Sequence, residues 1–410
     1  MKWRGVCFLS LFAGYASGAG FQLYTEGSAE ALGQAAAISG RTNLVSLAWY
    51  NPSALAGTGQ AQVMAGAVFA SIRTDFNSDT GPAADSSMTD DWRVIPHFYA
   101  VQPLDENWTA TLSVNAPFGL ITEWPDGWAG SVVAVYSELS TVYTTPSLVY
   151  RVHEELSVSA GLNVVYAEAR LTANRDLSVL SLPNLGNRTI EGDDLALGYT
   201  VSGHAQSGDW GLGLRFQSRV KLRPEGTVRY DNDPGFGREF RAEGSADLPA
   251  SVNFGIVNGS MNNITVGFEV VWTEWRAYDE LIFTFPDNPY ETSPEVNPKL
   301  WRNVFSFRFG ADYALNDTWS LRAGYVFDES PVNKFTLAPE LPGSDRHMLM
   351  VGLGWKHRHI GIDAAYSYLH ADGSRTGSGV VNANPPLSLG AAGKYNAMAH
   401  LFGLSVSYRF

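Results

Sequence analysis

The chain ends in a stretch where apolar and polar side chains alternate strictly. Over residues 402–410 one file of side chains is apolar, and the other is small or polar. The apolar file consists of Phe402, Leu404, Val406, Tyr408 and Phe410. A period of two predicts a β-strand with one apolar face. A terminal strand that ends on an aromatic residue, after many strands of the same kind, is typical of the closing strand of an outer-membrane barrel.

The same alternation begins near Gln60 and predicts about fourteen strands. We expect them near residues 61–76, 91–103, 107–118, 133–152, 156–172, 191–207, 210–230, 238–257, 264–285, 301–315, 318–331, 346–357, 360–371 and 396–410. Alternate turns are tight, as at 153–155 and 208–209, whereas the others are long. Short periplasmic turns and long external loops favour an all-β fold, a transmembrane antiparallel β-barrel of about fourteen strands over residues 59–410.

Charged residues within these strands indicate which face is the lumen. In the strand that starts at Trp301, the apolar file includes Phe305 and Phe309, and the opposite file includes Arg302 and Arg308. A cation that faces lipid at mid-depth costs about 2–4 kcal/mol, so the arginine file is predicted to face the lumen. The same reasoning places several other charged residues inside: Arg215, Arg219, Lys221, Arg223, Glu269 and Asp363.

The N-terminal residues have the pattern of an export signal. Lys2 and Arg4 precede an apolar run at 6–16, and small residues at 16–18 form a cleavage site. This run is too short to span a bilayer, so residues 1–18 are predicted to be a signal peptide. The alternative is a buried N-terminal helix. Cys7 is the only cysteine and lies within this segment, so the exported chain would have no thiol.

Residues 19–58 do not alternate and are predicted to form a compact helical plug, or hatch, inside the barrel. Residues 28–37 are rich in alanine and favour a helix. Asn51 followed by Pro52 predicts a helix start, because Asn is a good cap and Pro tolerates the first helical position. A separate periplasmic linker domain is the alternative, but the segment has few large apolar residues for a core of its own.

Composition fits a membrane barrel better than a soluble enzyme. The mean hydropathy is −0.09 with 45% hydrophobic and 12% aromatic residues, yet no run reaches the 18 apolar residues of a membrane helix. The formal charge of −13 becomes −15 when the signal takes Lys2 and Arg4 away, which argues against nucleic acid as a partner.

We find no nucleophile–base constellation, no phosphate-binding loop and no metal-ligand spacing in the sequence. His357 and His359 lie in a turn without further ligands nearby. We therefore expect no enzymatic activity, no metal and no cofactor.

Several motifs in a fixed order resemble one family. They are Ala-Gly-Phe-Gln-Leu at 19–23, Asn-Pro-Ser at 51–53, Asn-Ala-Pro-Phe-Gly-Leu at 115–120, Trp-Thr-Glu-Trp at 272–275, Leu-Arg-Ala-Gly-Tyr-Val-Phe-Asp-Glu-Ser-Pro at 321–331, and the aromatic terminal strand. The chain resembles the FadL/TodX family of outer-membrane transporters for hydrophobic compounds over nearly its full length.

The resemblance implies a fourteen-stranded barrel in the outer membrane of a Gram-negative bacterium, surrounded by lipid and lipopolysaccharide. Its hatch would include Phe21, Asn51 and Pro52. An apolar solute would be caught by external loops, pass to a buried pocket, and leave sideways through a kink in the third strand. A water-filled pore gives such a solute no driving force, which explains the need for this route.

Two groups of residues are candidates for gating and capture. Asn115, Pro117, Phe118 and Gly119 are the candidate lateral gate, because Pro cannot donate to the ladder and Gly is permissive. An ordinary strand end at the external rim is the alternative, and the resemblance favours the gate. The unusually apolar external loop at 178–186 is the candidate capture surface, and loop-on-loop packing is its alternative. Its apolar residues are Val179, Leu180, Leu182 and Leu185.

The resemblance also implies basic residues that meet a carboxylate head group. Arg302 matches one by position, and the other would fall near Glu168 or Arg170, which strand parity places outward unless a bulge intervenes. Arg308 and Arg322 are further lumenal candidates, with structural ion pairs as the alternative role.

Long-chain fatty acids are therefore the expected substrates. Monoaromatic or other apolar hydrocarbons are the close alternative. A non-specific porin is a distant alternative, because the plug argues against it. A monomer is expected.

Overall fold

A computed structural model describes residues 21–176, 184–232, 237–291, 293–376 and 390–410. Over these residues the chain forms a closed antiparallel barrel of fourteen strands, as predicted. The strands, in chain order, are β1 (Gln62–Ser78), β2 (Ser86–Ser87), β3 (Trp92–Pro103), β4 (Trp108–Asn115), β5 (Gly119–Glu123), β6 (Tyr136–His153), β7 (Leu156–Asp176), β8 (Asn184–Ser207), β9 (Trp210–Gln217), β10 (Val220–Leu222), β11 (Glu225–Tyr230), β12 (Phe240–Leu248), β13 (Ser251–Met261), β14 (Ile264–Thr273), β15 (Glu280–Thr284), β16 (Glu295–Pro298), β17 (Val304–Ala314), β18 (Trp319–Asp328), β19 (Arg346–His357), β20 (Ile360–Arg375) and β21 (Gly393–Arg409). The helices are α1 (Ala29–Leu32) and α2 (Leu47–Tyr50), with short 3₁₀ turns at Thr25–Gly27, Pro52–Leu55, Pro82–Ala84 and Trp275–Ala277.

The barrel closes by pairing its first strand with its last. β1 and β21 run antiparallel from Gln62 opposite Arg409 to Ser78 opposite Gly393. Closure satisfies the backbone groups of both edges, which a sheet in hydrocarbon requires. None of the described helices is long and apolar enough to cross a membrane.

Several of the fourteen strands are interrupted, which is why the elements outnumber them. The third strand is β4 with β5, the seventh is β9 with β10 and β11, the eighth is β12 with β13, the ninth is β14 with β15, and the tenth is β16 with β17. Pro117, Pro224 and Pro249 lie at three of these breaks, where a missing N–H cannot serve the ladder.

The outer face is apolar, and aromatic residues line the end with the short turns. On β21 the outward side chains are those of the apolar file predicted above, and inward-facing Ser405 is fully buried. Exposed rings beside the short turns include Trp108, Tyr150, Trp210, Trp319 and Tyr408. This is the arrangement of an interfacial aromatic girdle, and it marks the periplasmic edge of the lipid band.

Residues 21–58, called here the N-terminal segment, lie within the ring of strands. Nearly all of its residues are buried, and its contacts reach β3 and β4, β6 to β8 and β19 to β21. Glycines on the inner face let its backbone approach closely. A Cβ added at Gly213 would lie 2.1 Å from the Ser39 carbonyl oxygen, and one at Gly310 would lie 2.2 Å from that of Gln34.

Candidate functional site

The barrel wall is open at the third strand. β4 pairs with β3 up to Val114 opposite Phe98, and β5 pairs with β6 from Gly119 opposite Ser140. Within the described chain, no ladder joins β5 to the first half of β3, residues 92–97. We call this opening the wall gap. It lies at the predicted gate residues, where Pro117 lacks a donor and the chain leaves the strand path.

The N-terminal segment occupies the inner side of the wall gap. The Leu23 amide donates to the Pro117 carbonyl at 2.8 Å, and the Gly119 amide donates to the Phe21 carbonyl at 2.9 Å. These bonds satisfy backbone groups that the interrupted strand leaves free. The opening is therefore closed by a short strand-like piece of the segment and not by the wall.

An aromatic cluster surrounds Phe21 behind this closure. The Phe21 ring lies 4.8 Å from Trp275, 5.3 Å from Tyr278 and 6.1 Å from Trp301, measured between centroids. Phe118 lies 6.0 Å from Phe21. All five rings are buried, and edge-to-face pairs of this kind contribute about 0.5–1.5 kcal/mol beyond area burial. The cluster makes an apolar site at the gate residues.

A buried carboxylate holds the middle of the N-terminal segment. Glu269 Oε1 accepts from Tyr24 Oη at 2.5 Å, and Oε2 accepts from the Ser39 amide at 3.1 Å and from Ser39 Oγ at 2.7 Å. Arg308 is the register partner of Glu269, and its guanidinium lies 4.2 Å from the centre of the Tyr24 ring. Glu269 and Arg308 face inward as predicted, and they contact this segment.

Arg322 also faces inward and forms an ion-pair network. It reaches Asp363 at 2.6 Å, Asp312 at 3.1 Å and Glu30 of the N-terminal segment at 3.4 Å. Arg41 of the same segment meets Asp312 at 3.0 Å. These contacts correspond to the structural alternative for the lumenal arginines, since the guanidinium is already surrounded by carboxylates.

Asn51 and Pro52 lie where the N-terminal segment meets β8. Pro52 begins a short 3₁₀ turn, so the predicted helix start is observed. The Asn51 side chain, predicted to cap that turn, instead donates to the Ser39 carbonyl at 2.7 Å and accepts from Ser53 Oγ at 2.6 Å. Its role is to join two parts of the segment.

A second space, called here the outer cavity, lies on the side of the long loops, and about half of the residues that line it are apolar. Its apolar lining includes Val133, Leu171, Ile190, Leu281, Phe283 and Ala338. Two buried cations stand in this lining: Lys299 Nζ lies 2.6 Å from Glu340, and Arg188 lies 2.7 Å from Glu295.

An ion-pair cluster lies above the outer cavity in the loop between β15 and β16. Glu291 meets Arg188 at 3.2 Å and also pairs with Arg175. Burial of the carboxylate acts to raise the pKa of Glu291, but the two arginines outweigh it and hold this pKa below its ordinary value of 4.5.

Two arginines predicted to face the lumen do not. Arg302 is exposed on the outside and lies 3.8 Å from Glu329, because regular strand begins only at Val304. Leu300 has a φ of 52°, so the chain turns before the strand and buries Trp301. Arg170 also faces outward and pairs with Glu191 at 3.3 Å, in agreement with strand parity and against the lumenal assignment.

The cations of the seventh strand do not all face the lumen either. Arg215 is buried and inward, as predicted. Arg219, Lys221 and Arg223 face outward, which corrects the prediction, because the strand breaks after Gln217 and the alternation restarts on the other face. A single irregular residue exchanges the two faces of a strand.

The predicted capture loop is only partly described. Val179, Leu180 and Leu182 lie outside the described residues. Leu185 was predicted on an exposed surface, but it is buried among Ile190, Val228 and Phe285 beneath the loops. Its contacts correspond to the loop-packing alternative.

Sequence reasoning named Phe21 and Phe118 of the aromatic cluster but gave no role to other residues that line the two sites. Trp275 and Tyr278 lie in a break of the ninth strand, and Lys299 lies just before the tenth resumes. All three fall where the alternation is lost, so parity does not assign them a face. The available signal was the break itself, marked by Pro298 and by a run without alternation.

Comparison with known proteins agrees with this architecture. The family described as outer membrane protein transport protein (OMPP1/FadL/TodX) matches residues 9–410. The long-chain fatty acid transport protein of Escherichia coli K12 is 26% identical, with 98% of this chain and 97% of that protein covered. Outer membrane protein P1 of Haemophilus influenzae is 23% identical, over 98% and 97% of the two chains.

Solved structures share the fold. A Pseudomonas aeruginosa FadL homologue superposes with a TM-score of 0.84 at 22% identity, covering 96% of this chain and 100% of that one. The Pseudomonas putida toluene transporter TodX gives 0.69 at 14% identity, covering 97% and 99%. This chain therefore belongs to the OMPP1/FadL/TodX family of outer-membrane channels, which transport hydrophobic substrates and are not enzymes.

Proposed function

We propose that the protein takes up long-chain fatty acids and releases them sideways through the wall gap. The observation that carries the choice of substrate is the outer cavity, where apolar side chains stand beside Lys299 and Arg188 and their carboxylate partners. A hydrocarbon tail would contact the apolar part of this lining, and a carboxylate would pair with a cation. A substrate without charge would form no ion pair with either cation.

Lys299 is the better candidate for the head group. Its ammonium has one carboxylate partner, Glu340, whereas Arg188 is held by both Glu291 and Glu295. A fatty-acid carboxylate that replaces Glu340 would leave fewer groups unpaired than one that displaces Arg188 from two partners. We therefore assign the head group to Lys299.

The path from the outer cavity to the wall gap is short. The Glu340 carbonyl accepts from Thr122 Oγ1 on β5 at 3.4 Å, so one wall of the cavity contacts the gate strand. The Lys299 amide donates to the Asp279 carbonyl at 2.7 Å, which places the cavity beside Tyr278 of the aromatic cluster. A tail can pass from one apolar surface to the next without crossing water.

Release requires the N-terminal segment to move. Phe21 and Leu23 close the wall gap through two backbone hydrogen bonds, each contributing about 0.5–1.5 kcal/mol net. We propose that residues 19–58 act as the hatch and that a ligand in the aromatic cluster displaces Phe21. Contacts of this size are weak enough for Phe21 and Leu23 to be displaced. The stronger contacts at Glu269 would meanwhile hold the middle of the segment in place.

The test replaces Lys299 with Met and measures uptake of radiolabelled palmitate and of toluene in cells without another such transporter. In the variant, the fatty acid loses a charge-assisted contact, but it no longer has to displace Glu340 from the lysine. These opposing effects predict about a tenfold loss of palmitate uptake and little change in toluene uptake. Arg302→Met is the matched control, since this cation lies nearby on the outer surface and should change neither. Equal losses for palmitate and toluene would make Lys299 structural and refute the head-group assignment.

The rings around Phe21 favour a second candidate substrate, a monoaromatic hydrocarbon, because they offer an apolar site without a cation. Trp275→Leu should then reduce toluene uptake more than palmitate uptake. If Lys299→Met leaves palmitate uptake intact while Trp275→Leu abolishes that of toluene, the hydrocarbon replaces the fatty acid as the substrate.

A further inference from the structure

The barrel wall is also irregular between the sixth and seventh strands. β8 pairs with β9 as far as Thr200 opposite Gln217, and it pairs with β11 from Asp193 opposite Glu225. Among the described residues, β8 residues 194–198 pair with β7 on one side but have no ladder partner on the side that faces the seventh strand. We call this stretch, together with β10 beside it, the outer seam.

Mismatched faces explain why the ladder is lost. Leu197 points outward and is 64% exposed, whereas Val220, which lies beside it, points inward and is fully buried. Strands pair only when opposite residues share a face, so β8 and β10 cannot form a ladder. Pro224 then removes one more donor before pairing resumes.

The outer seam leaves backbone groups exposed to the membrane. Tyr199 and Ser218 exchange hydrogen bonds, so the polar groups of Tyr199 point at the seventh strand. The N–H and C=O groups of Leu197 and Leu195 point the same way, because alternate residues share a direction. Backbone polar groups need hydrogen-bond partners, so a polar partner at this site is favoured.

The height of the outer seam is that of the lipid head groups. Trp210 marks the periplasmic girdle on the seventh strand, and Arg219 lies nine residues further along it. A strand tilted by about 40° rises about 2.5 Å per residue, which places Arg219 about 23 Å above Trp210. The apolar band of such barrels is about 25 Å tall, so Arg219, Lys221 and Arg223 lie at its outer boundary.

One of these three outward cations is free to bind an anion. Arg219 is held by Glu274 at 2.6 Å, and Arg223 lies 3.0 Å from Asp247. Lys221 is exposed and makes no ion pair with any described residue. Beside it, Leu195 and Leu197 are 68% and 64% exposed, which offers an apolar surface next to a cation.

We infer that the outer seam binds a phosphorylated outer-leaflet lipid of the lipid A class, the membrane anchor of lipopolysaccharide. The phosphate lies against Lys221 and the Leu195 and Leu197 amides that face the seventh strand, and an acyl chain covers the side chains of these two leucines. The seam does not serve as a second exit, because Val220 and Leu222 close its inner side and both are buried. This inference requires only the outer-membrane location and does not depend on the proposed substrate.

The test compares Lys221→Gln with Lys394→Gln in the full-length protein. Lys394 is also exposed and makes no ion pair with the described residues, but intact ladders join its strand to β1 and β20. Native mass spectrometry would follow titration of the detergent-solubilised protein with bisphosphorylated lipid A and with the same lipid after phosphatase treatment. Heat-modifiable migration on gels would confirm that both variants are folded.

We expect the wild-type protein to bind the bisphosphorylated lipid, Lys221→Gln to weaken that binding about tenfold, and Lys394→Gln to leave it unchanged. Equal binding of the dephosphorylated lipid would overturn the assignment to a phosphate. Equal losses in both variants would overturn the location. Competition by millimolar inorganic phosphate as effective as that by lipid A would identify a free-anion site and overturn the lipid. Palmitate uptake should be normal in Lys221→Gln, which separates this test from that of the proposed function.

Discussion

Replacing Glu269 with Gln should loosen the N-terminal segment inside an intact barrel. The Glu269 carboxylate accepts three hydrogen bonds from that segment, one from Tyr24 and two from Ser39. Glutamine has the same shape but only one acceptor oxygen. If that oxygen faces Ser39, the amide nitrogen faces the Tyr24 hydroxyl, which already accepts from Asn253 and now has no acceptor for its own proton, so the bond at 2.5 Å is lost.

The size of the effect follows from this geometry. A hydrogen bond to a charged group contributes about 1.5–3 kcal/mol, and a neutral one contributes about 0.5–1.5 kcal/mol. At the lower ends of these ranges, the lost bond costs about 1.5 kcal/mol and each of the two bonds that become neutral costs about 1 kcal/mol, so the segment should lose about 3.5 kcal/mol of attachment. That is roughly a 400-fold rise in the population of displaced segments.

Single-channel recording in planar bilayers would measure this population as the fraction of time in a conducting state. A variant that lacks residues 19–58 provides the open reference, because it lacks the segment that lies within the ring of strands. Glu295→Gln is the matched control: this carboxylate is 4% exposed but pairs with Arg188 on the loop side, away from the N-terminal segment. It should leave the conductance unchanged.

Two results would refute the reasoning. A folded Glu269→Gln protein that conducts no more than the wild type would mean that other contacts hold the segment. An equal rise in Glu295→Gln would mean that loss of any buried charge loosens the barrel, whatever it contacts.

Three further predictions concern close packing, the wall gap and pH. Gly213→Ala should lower the free energy of unfolding in urea by about 1–3 kcal/mol, because its Cβ would lie 2.1 Å from the Ser39 carbonyl oxygen. Replacing Pro117 with Val and Gly119 with Thr favours regular strand pairing, so palmitate uptake should fall while the barrel still folds. Because the pKa of Glu291 is lowered in the folded state, its ion pairs stabilise the loop above about pH 4.5, and this stability is lost as the pH falls through the folded pKa. The hydrogen-exchange protection of residues 285–294, taken relative to the intrinsic exchange rate at each pH, should therefore fall as the pH drops below about 4.5.

Each of these three predictions has its own control or contradicting result. Gly203→Ala should cost little, since the nearest atom to its added Cβ is 3.9 Å away, and an equal cost at both glycines would contradict the close-packing argument. Unchanged uptake by the Pro117 and Gly119 double variant, at equal surface expression, would place the exit elsewhere. Glu291→Gln should show low protection of this loop at every pH, and a retained acid transition in that variant would assign the effect to another group.

The alternation of apolar and polar residues predicts the regular part of this fold. Hydrocarbon outside and a polar interior impose opposite requirements on successive residues, so the number of strands and the outward face of β21 were both predictable. Glu269, Arg308, Arg322 and Asp363 were placed inward correctly for the same reason.

The wrong predictions of which face a side chain occupies arise where the alternation restarts. Parity assigns a face only relative to a neighbour, so an irregular residue reverses everything beyond it. Arg302 lies on the far side of the turn at Leu300, and Arg219 lies just past the break after Gln217. Contacts such as that between Tyr24 and Glu269 join residues 245 positions apart, and no local pattern encodes that separation.

The pairing of β1 with β21 has a consequence for the order in which this protein folds. The helices α1 and α2 have four residues each and cannot persist alone in water. Their anchors are scattered along the chain: Ser53 contacts Ser202, Tyr24 contacts Glu269, and Ala29 contacts Ser405 of β21. The N-terminal segment therefore has no structure to adopt until β21 is in place. Assembly must keep the N-terminal segment unfolded and protected throughout, and removal of the final strand alone would leave both the wall and its contents unformed.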